Sequence, residues 1–285
     1  MAVDISQRIR DLYPGFSKGQ KKIANAVLNE YDKITYMTAT KLAKMVGVSE
    51  STVVRFANEL GFEGYAEFRS AIQELVRTKL TPNQRIAVTK QRIGRGDILE
   101  NVMESDINKI RYTLERINKD TFNRAVECIL SAKRIYVIGA RSAEALAMFL
   151  EYNLSLIFDN VKFVKPNSTA ELFEQMLSIG EDDVLIAFSF PRYSSKMVSA
   201  VKYAKQNNAN VVVFTDSEIS PIAEFASCLI TAQSDMASFM DSLVAPISII
   251  NAIIVEITRR KEKEITARFD KLEKLWDEYG VYAKR

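Results

Sequence analysis

TATKLAKMVGVSESTVVRFANELG, residues 38–61, holds two helical patterns joined by a turn. The first starts near Thr38 and carries Leu42, Ala43 and Val46, and Gly47 ends it. The second starts at Ser49 and runs to about Leu60, with Val53, Phe56, Ala57 and Leu60 on one face. Each residue at the join has a physical job. Ala43 is small where the second helix crosses over it. Gly47 supplies the positive φ of the turn. Val48 and Val53 fill the wedge between the helices, and Ser49 caps the second helix. This is the spacing of a helix-turn-helix. In that arrangement Glu50, Ser51, Thr52, Arg55 and Asn58 face the major groove of duplex DNA. Arg55 suits a guanine or a phosphate and Asn58 an adenine, and the sequence leaves that choice open. Thr38, Lys41 and Ser49 complete the candidate DNA contacts, with Lys18, Lys21, Lys22 and Lys44 as further candidate phosphate contacts.

The flanks extend the helical reading. Ser17 is a candidate N-cap for a helix carrying Ile23, Val27, Leu28 and Tyr31. Gly61 reads as a left-handed C-cap. A further helix runs from about Tyr65 to Thr78, with Phe68, Ile72, Leu75 and Val76 facing inward. Thr81-Pro82-Asn83-Gln84 and Gly94-Arg95-Gly96-Asp97 bracket a short polar helix as a hinge region. A long helical pattern then carries Ile98, Val102, Ile107, Ile110 and Leu114, and another runs from Asp120 to about Ser131.

From residue 134 the pattern changes. Ile135–Ile138, Val161–Val164, Val184–Phe188, Val211–Phe214 and Leu229–Thr231 are short apolar runs separated by helix-length spacers. Five such strands predict a parallel sheet with helices on both faces. Phe239–Ile257 reads as one buried helix. The charged tail from Arg259 carries Ile265, Phe269, Leu272, Leu275 and Tyr279 as one helical stripe, packed on the body or on a partner.

Composition narrows the chemistry. Among 285 residues, 47% are apolar and 26% charged, which fits globular protein and excludes a wholly disordered chain. There is no histidine, so histidine bases, histidine metal ligands and serine–histidine triads are excluded. The two cysteines, Cys128 and Cys228, lack metal-type spacing, so no metal and no cofactor are expected, and a reducing cytoplasm is the expected compartment. No secretory signal or membrane span is read. Residues 1–125 hold 21 Lys+Arg against 15 Asp+Glu, whereas residues 126–285 hold 18 against 21. A basic front and an acidic rear fit a polyanion partner for the front part alone.

In the rear part, open α/β sheets bind ligands at strand C-termini. Three loops lie there: Gly139-Ala140-Arg141-Ser142, Ser189-Phe190-Pro191-Arg192-Tyr193-Ser194-Ser195, and Thr215-Asp216-Ser217. Gly139 lets backbone approach a ligand. Ser142 and Ser194 start helices, where hydroxyls and amides favour an anion. Arg192 is a fork donor suited to bidentate anion binding. The candidate effector residues are therefore Gly139, Arg141, Ser142, Ser189, Arg192 and Ser194. A dinucleotide site is excluded because the second and third glycines of its fingerprint are missing.

The string Ala43–Phe56, followed by Leu60-Gly61-Phe62 and Gly64-Tyr65-Ala66-Glu67-Phe68-Arg69, resembles the RpiR/MurR family of bacterial transcriptional regulators over nearly the whole chain. The Gly-Ala-Arg-Ser start of the rear domain is also typical of that family. The resemblance implies a helix-turn-helix domain followed by a sugar isomerase (SIS) domain. The SIS domain would be a five-stranded parallel α/β/α sandwich that dimerises and binds phosphosugars. Ser142 stands where such domains offer a phosphate-binding serine. The usual second loop, Ser-x-Ser-Gly-x-Thr, departs here. Ser189 and Ser194 match its outer hydroxyls, while Pro191 and Arg192 replace its middle serine and glycine. A sugar phosphate leads as effector, with a sugar acid, a polyol or another anionic metabolite as alternatives.

The expected organisation is an all-α reader over 1–80, connecting helices over 81–130, an SIS domain over 131–258 and an amphipathic helix over 259–285. The expected function is regulation of carbohydrate-metabolism genes by an oligomer, a dimer or tetramer, that binds operator DNA under the control of an anionic sugar metabolite. The alternative is an SIS-type isomerase or lyase with a helical appendage, using Glu144 or Glu151 as its base.

Overall fold

Serine and glycine punctuation sets the helix boundaries of the front part. The structure is a computed structural model that describes residues 5–29, 34, 37–79, 81–93, 97–165, 167–235 and 238–282. The readings made for Tyr31, for the Leu75 and Val76 side chains and for Gly94-Arg95-Gly96 fall outside what is described. After α1 (Ile5–Leu12), helix α2 (Lys18–Asn29) opens on a reciprocal cap. The Ser17 amide donates to Gln20 Oε1 at 2.8 Å, and the Gln20 amide donates to Ser17 Oγ at 3.4 Å. Helices α3 (Ala39–Val46) and α4 (Glu50–Glu59) follow, then α5 (Tyr65–Lys79) and α6 (Pro82–Ile93). Gly61, at φ 81°, closes α4 in a two-bond left-handed cap: the Phe62 amide reaches the Ala57 carbonyl and the Gly61 amide that of Asn58.

The chain divides into two compact units, residues 1–98 with 235–241, and residues 99–234 with 242–285. The first is built on one apolar cluster. Phe56 and Phe68 are fully buried and meet edge-to-face at 5.7 Å, and Phe16 meets Phe56 at 5.2 Å. Leu42, Ala43, Val53, Ala57 and Leu60 complete the contact between α3 and α4. The polar hinge helix α6 is anchored within this unit. Arg85 is buried and pairs with buried Asp241 at 2.9 Å, and the Thr89 hydroxyl donates to the Ser238 carbonyl at 3.5 Å.

The second unit begins within α7 (Ile98–Arg116), at Leu99, and continues through α8 (Lys119–Ser131). A five-stranded parallel sheet follows: β1 (Ile135–Gly139), β2 (Val161–Val164), β3 (Val184–Phe188), β4 (Asn210–Thr215) and β5 (Cys228–Thr231), in the order β2-β1-β3-β4-β5. Strand alternation splits each strand between two faces. Ile135, Val137, Val184, Ile186, Val212 and Ile230 face α8, α9 (Ala143–Ser155) and α12 (Val244–Arg260). Tyr136, Ile138, Leu185, Ala187, Val211 and Val213 face α10 (Thr169–Met176) and α11 (Ser195–Gln206). The fold is the expected one, a helical front followed by a parallel α/β/α sandwich.

One local expectation is corrected. The stretch Phe239–Ile257 is not one buried helix: α12 begins at Val244, and Phe239 and Met240 are exposed before it. The tail forms α13 (Glu262–Glu278), yet its stripe is only partly covered. Ile265 is buried, whereas Leu275 and Tyr279 are exposed. Among the described residues, no helix is long and apolar enough to cross a membrane.

Candidate DNA reader and effector site

The two helices of the reader meet through caps made by their own side chains. Thr38 Oγ1 accepts from the Lys41 amide at 3.2 Å and opens α3. Gly47, at φ 67°, turns the chain, and the Val48 amide returns to the Ala43 carbonyl at 3.0 Å. Ser49 Oγ then accepts from the Thr52 amide at 3.2 Å and opens α4. Ser49 and Thr38 thus hold the helix starts in place. The Thr40 hydroxyl donates to Glu50 Oε2 at 2.8 Å and ties the start of α4 to α3.

The structure places Thr38 and Lys41 at the start of α3 and the other candidate DNA contacts at the start of or along α4, in two environments. Glu50, Ser51, Arg55 and Asn58 are exposed along α4. Thr52 is half-buried, and its methyl lies 3.4 Å from where a Cβ on Gly19 would stand, so it also packs α4 onto α2. Arg55 Nε donates to the Ser51 carbonyl at 3.4 Å, a long bond along its own helix. Lys18, Lys22, Lys41 and Lys44 are exposed, and the Lys21 ammonium lies 5.7 Å from the centre of the Tyr13 ring.

The rear loops sit at the topological switch point of the sheet. Strand order reverses between β1 and β3, whose ends are paired, Gly139 opposite Phe188. The helices that follow these strands, α9 and α11, pack on opposite faces, the topology at which open α/β sheets hold ligands between such loops. Gly139 ends β1, with Arg141 and Ser142 after it, and Ser189, Arg192 and Ser194 follow the end of β3. A Cβ on Gly139 would stand 2.4 Å from the Ala143 carbonyl oxygen, so only glycine lets α9 fold back this tightly on β1. Arg141 is exposed and takes a left-handed backbone, φ 60°. Ser142 is exposed and already helical at φ −61°, and its hydroxyl makes no capping bond. Ser194 precedes α11 and likewise caps nothing with its side chain. Ser189 is buried, with its amide donating to the Phe214 carbonyl at 3.0 Å, and Arg192 is exposed.

Sequence reasoning missed Tyr193. Its hydroxyl donates to Asp216 Oδ1 at 2.8 Å, and the Thr215 hydroxyl reaches the same oxygen at 3.2 Å. The second and third strand-end loops are thereby linked. No signal in the sequence pairs residues 193 and 216; only the β3–β4 pairing brings them together. Lys196 similarly donates to the Asn167 carbonyl at 2.7 Å, linking the start of α11 to the loop after β2. Glu144 and Glu151, the candidate isomerase bases, are both half-buried on α9. Among the described residues, no group of three or more Cys, Asp or Glu is placed to hold a metal ion.

Comparison with known proteins agrees with both halves of this geometry. Residues 3–79 match the model of the helix-turn-helix domain of the rpiR family, and residues 128–256 match the SIS domain. An uncharacterised HTH-type transcriptional regulator of Haemophilus influenzae is 28% identical over 227 residues, covering 78% of this chain and 77% of that protein. The sugar isomerase domain of an RpiR transcription factor from Sphaerobacter thermophilus aligns with a TM-score of 0.60 at 23% identity, over 63% of this chain and 99% of that one. The Vibrio vulnificus NanR protein, solved in complex with ManNAc-6P, aligns with a TM-score of 0.62 at 20% identity, over 99% of this chain and all of that one. These two structures share the fold. With an rpiR-type reader in front and an SIS domain behind, this chain belongs to the RpiR family of DNA-binding transcriptional regulators.

Proposed function

We propose that an anionic sugar metabolite, in the first place a phosphosugar, binds between the loops that follow β1 and β3 and sets the operator affinity of this regulator. The observation that carries the reading is the pair of unspent serines. Ser142 and Ser194 stand at the starts of two helices, where amides and dipole favour an anion, and neither hydroxyl is used as a cap. Arg192 adds an exposed cation beside Ser194. The phosphosugar held by NanR supports the choice of ligand class. On this reading Gly139, Arg141, Ser142, Ser189, Arg192 and Ser194 line the site. Residues 1–80 read DNA, 81–130 connect, 131–258 sense, and 259–285 form the terminal helix. The regulated genes serve carbohydrate metabolism, and the protein acts in the cytoplasm.

Calorimetric titration with a panel of phosphosugars and sugar acids tests the site. Arg192→Ala and Ser194→Ala are expected to lose the effector's influence on DNA binding while effector-free operator affinity stays near normal. A ligand shifts DNA affinity only through unequal binding to two states, so a broken pocket removes the shift without touching the reader. Effector binding as tight as wild type in both variants sinks the assignment.

Thr38, Lys41, Ser49, Glu50, Ser51, Thr52, Arg55 and Asn58 are proposed as the operator contacts, with Arg55 foremost. Its side chain is exposed on α4, so Arg55→Ala is expected to weaken specific binding by about 1–3 kcal/mol and leave the melting temperature unchanged. Unchanged operator affinity at matched salt contradicts that role.

The reading also includes a homo-oligomer. In α7, Lys109 and Thr113 are buried while Leu99, Met103, Ile107 and Leu114 lie exposed. An apolar stripe turned outward on a helix that buries a lysine is what a partner surface requires. Two-fold operators also match two-fold proteins. Sedimentation at micromolar concentration is expected to give a dimer or larger species, and Ile107→Glu to shift it toward monomer. A wild-type monomer that binds its operator tightly as a monomer refutes this.

A further inference from the structure

Cys128 and Cys228 lie 100 positions apart and are the two cysteines of the whole chain. The fold brings them together. Cys128 sits on α8 and Cys228 opens β5, the edge strand of the sheet, and both belong to the apolar layer between α8 and that strand. Each thiol is the largest influence on the other's protonation. Cys128 is half-buried and Cys228 is buried, so one thiol is reachable and the other is protected behind it. A cavity of about 320 Å³, which neither cysteine lines, opens along the same helix and strand. Its lining includes Arg124, one helical turn before Cys128, and Ser227 and Leu229, the chain neighbours of Cys228.

We propose that Cys128 and Cys228 form a thiol oxidation site, which hydroperoxides convert into an intramolecular disulfide joining α8 to β5. The electrostatics favour Cys128 as the attacking group. The Cys228 thiol beside it, with the Arg124 guanidinium nearby, lowers the Cys128 thiol to about 7. Cys228 is held in its protonated form by its neighbour Cys128 and by burial. A reachable thiolate beside a second thiol is the arrangement of an attacking and a resolving cysteine.

The chemistry balances with one hydroperoxide. The Cys128 thiolate attacks an oxygen, the O–O bond breaks, and Cys128 becomes a sulfenic acid while hydroxide or alkoxide leaves and takes up a proton. The Cys228 sulfur then attacks the Cys128 sulfur. The S–O bond breaks, the S–S bond forms, and the Cys228 proton leaves with the hydroxyl as water. Two thiols supply two electrons, and hydrogen peroxide ends as two waters.

The test uses the native full-length protein, hydrogen peroxide, maleimide trapping of remaining thiols and intact mass spectrometry. Wild type is expected to lose both trappable thiols, to become lighter by two hydrogens, and to recover both thiols with dithiothreitol. Cys228→Ala is expected to stop at an oxidised Cys128 that a sulfenic-acid probe captures. The pH midpoint for Cys128 alkylation should also rise in this variant, from near 7 toward the ordinary value of about 8.5. Cys128→Ser is expected to keep its Cys228 thiol. The inference is overturned if wild type retains either thiol, gains oxygen on Cys128 without losing the Cys228 thiol, or forms its disulfide between chains.

Discussion

Gly139→Ala is expected to cost the rear unit about 1–3 kcal/mol of stability and the effector at least tenfold in affinity. The added methyl would lie 2.4 Å from the Ala143 carbonyl oxygen, 2.8 Å from its carbon and 3.0 Å from the Glu144 amide nitrogen. All three are backbone atoms of the first turn of α9, so no side chain can swing aside. The helix start must move away from β1, and it carries Ser142 with it. The proposed anion cradle then loses one lip. Differential scanning calorimetry and calorimetric titration check the two parts. A variant that melts and binds effector like wild type would show that the close approach of α9 to β1 has no role in the site.

Phe56→Ala is expected to abolish operator binding by unfolding the reader. Phe56 is fully buried, meets Phe16 and Phe68 edge-to-face, and belongs to a small cluster with few substitutes for its volume. Such a truncation costs about 3–5 kcal/mol, which is comparable to the whole stability of a small domain. Its neighbour Arg55 makes the control. Both residues sit on α4, one turned inward and the other outward, so Arg55→Ala should lose affinity with no loss of helix. Circular dichroism and operator binding on the pair separate the two failures. Phe56→Ala with native helix content and normal operator affinity would mean that the reader does not depend on this aromatic contact.

The reader was legible because its information is local. Gly47 and Gly61 stand where the backbone is left-handed, and Ser49 and Thr38 accept the amide bonds expected of caps. Each of these demands involves residues within a few positions of one another. The strands were legible for a related reason. Central strands buried on both faces, such as Val184–Phe188, cannot carry polar residues, and that leaves a continuous apolar run. Where an apolar pattern was read as burial, the reading was less secure. The stripes of α7 and α13 look alike in sequence, yet Ile107 and Leu275 are exposed while Ile265 is buried. Periodicity shows that a helix has an apolar face, and not whether this chain covers it.

The candidate effector site divides in the same way. Its serines and Arg192 were found because strand-to-helix loops announce themselves through short-range pattern. Whether Ser142 and Ser194 are spent as caps was undecided, because a helix-start serine reads the same in either case; a helical ψ of −29° takes Ser142 out of capping geometry. Tyr193 with Asp216, Arg85 with Asp241 and Cys128 with Cys228 gave no signal at all. These partners stand 23, 156 and 100 positions apart.

The sequence by itself therefore determined the two domain types, the caps and turns of the reader and the strand-to-helix loops at the switch point of the sheet. Local sterics and hydrogen bonding act over a few residues and leave their mark in residue spacing. Only the tertiary structure decided which apolar faces stay uncovered, which hydroxyls remain unspent and which distant side chains meet. Those outcomes depend on strand order and helix packing, and no residue encodes them alone.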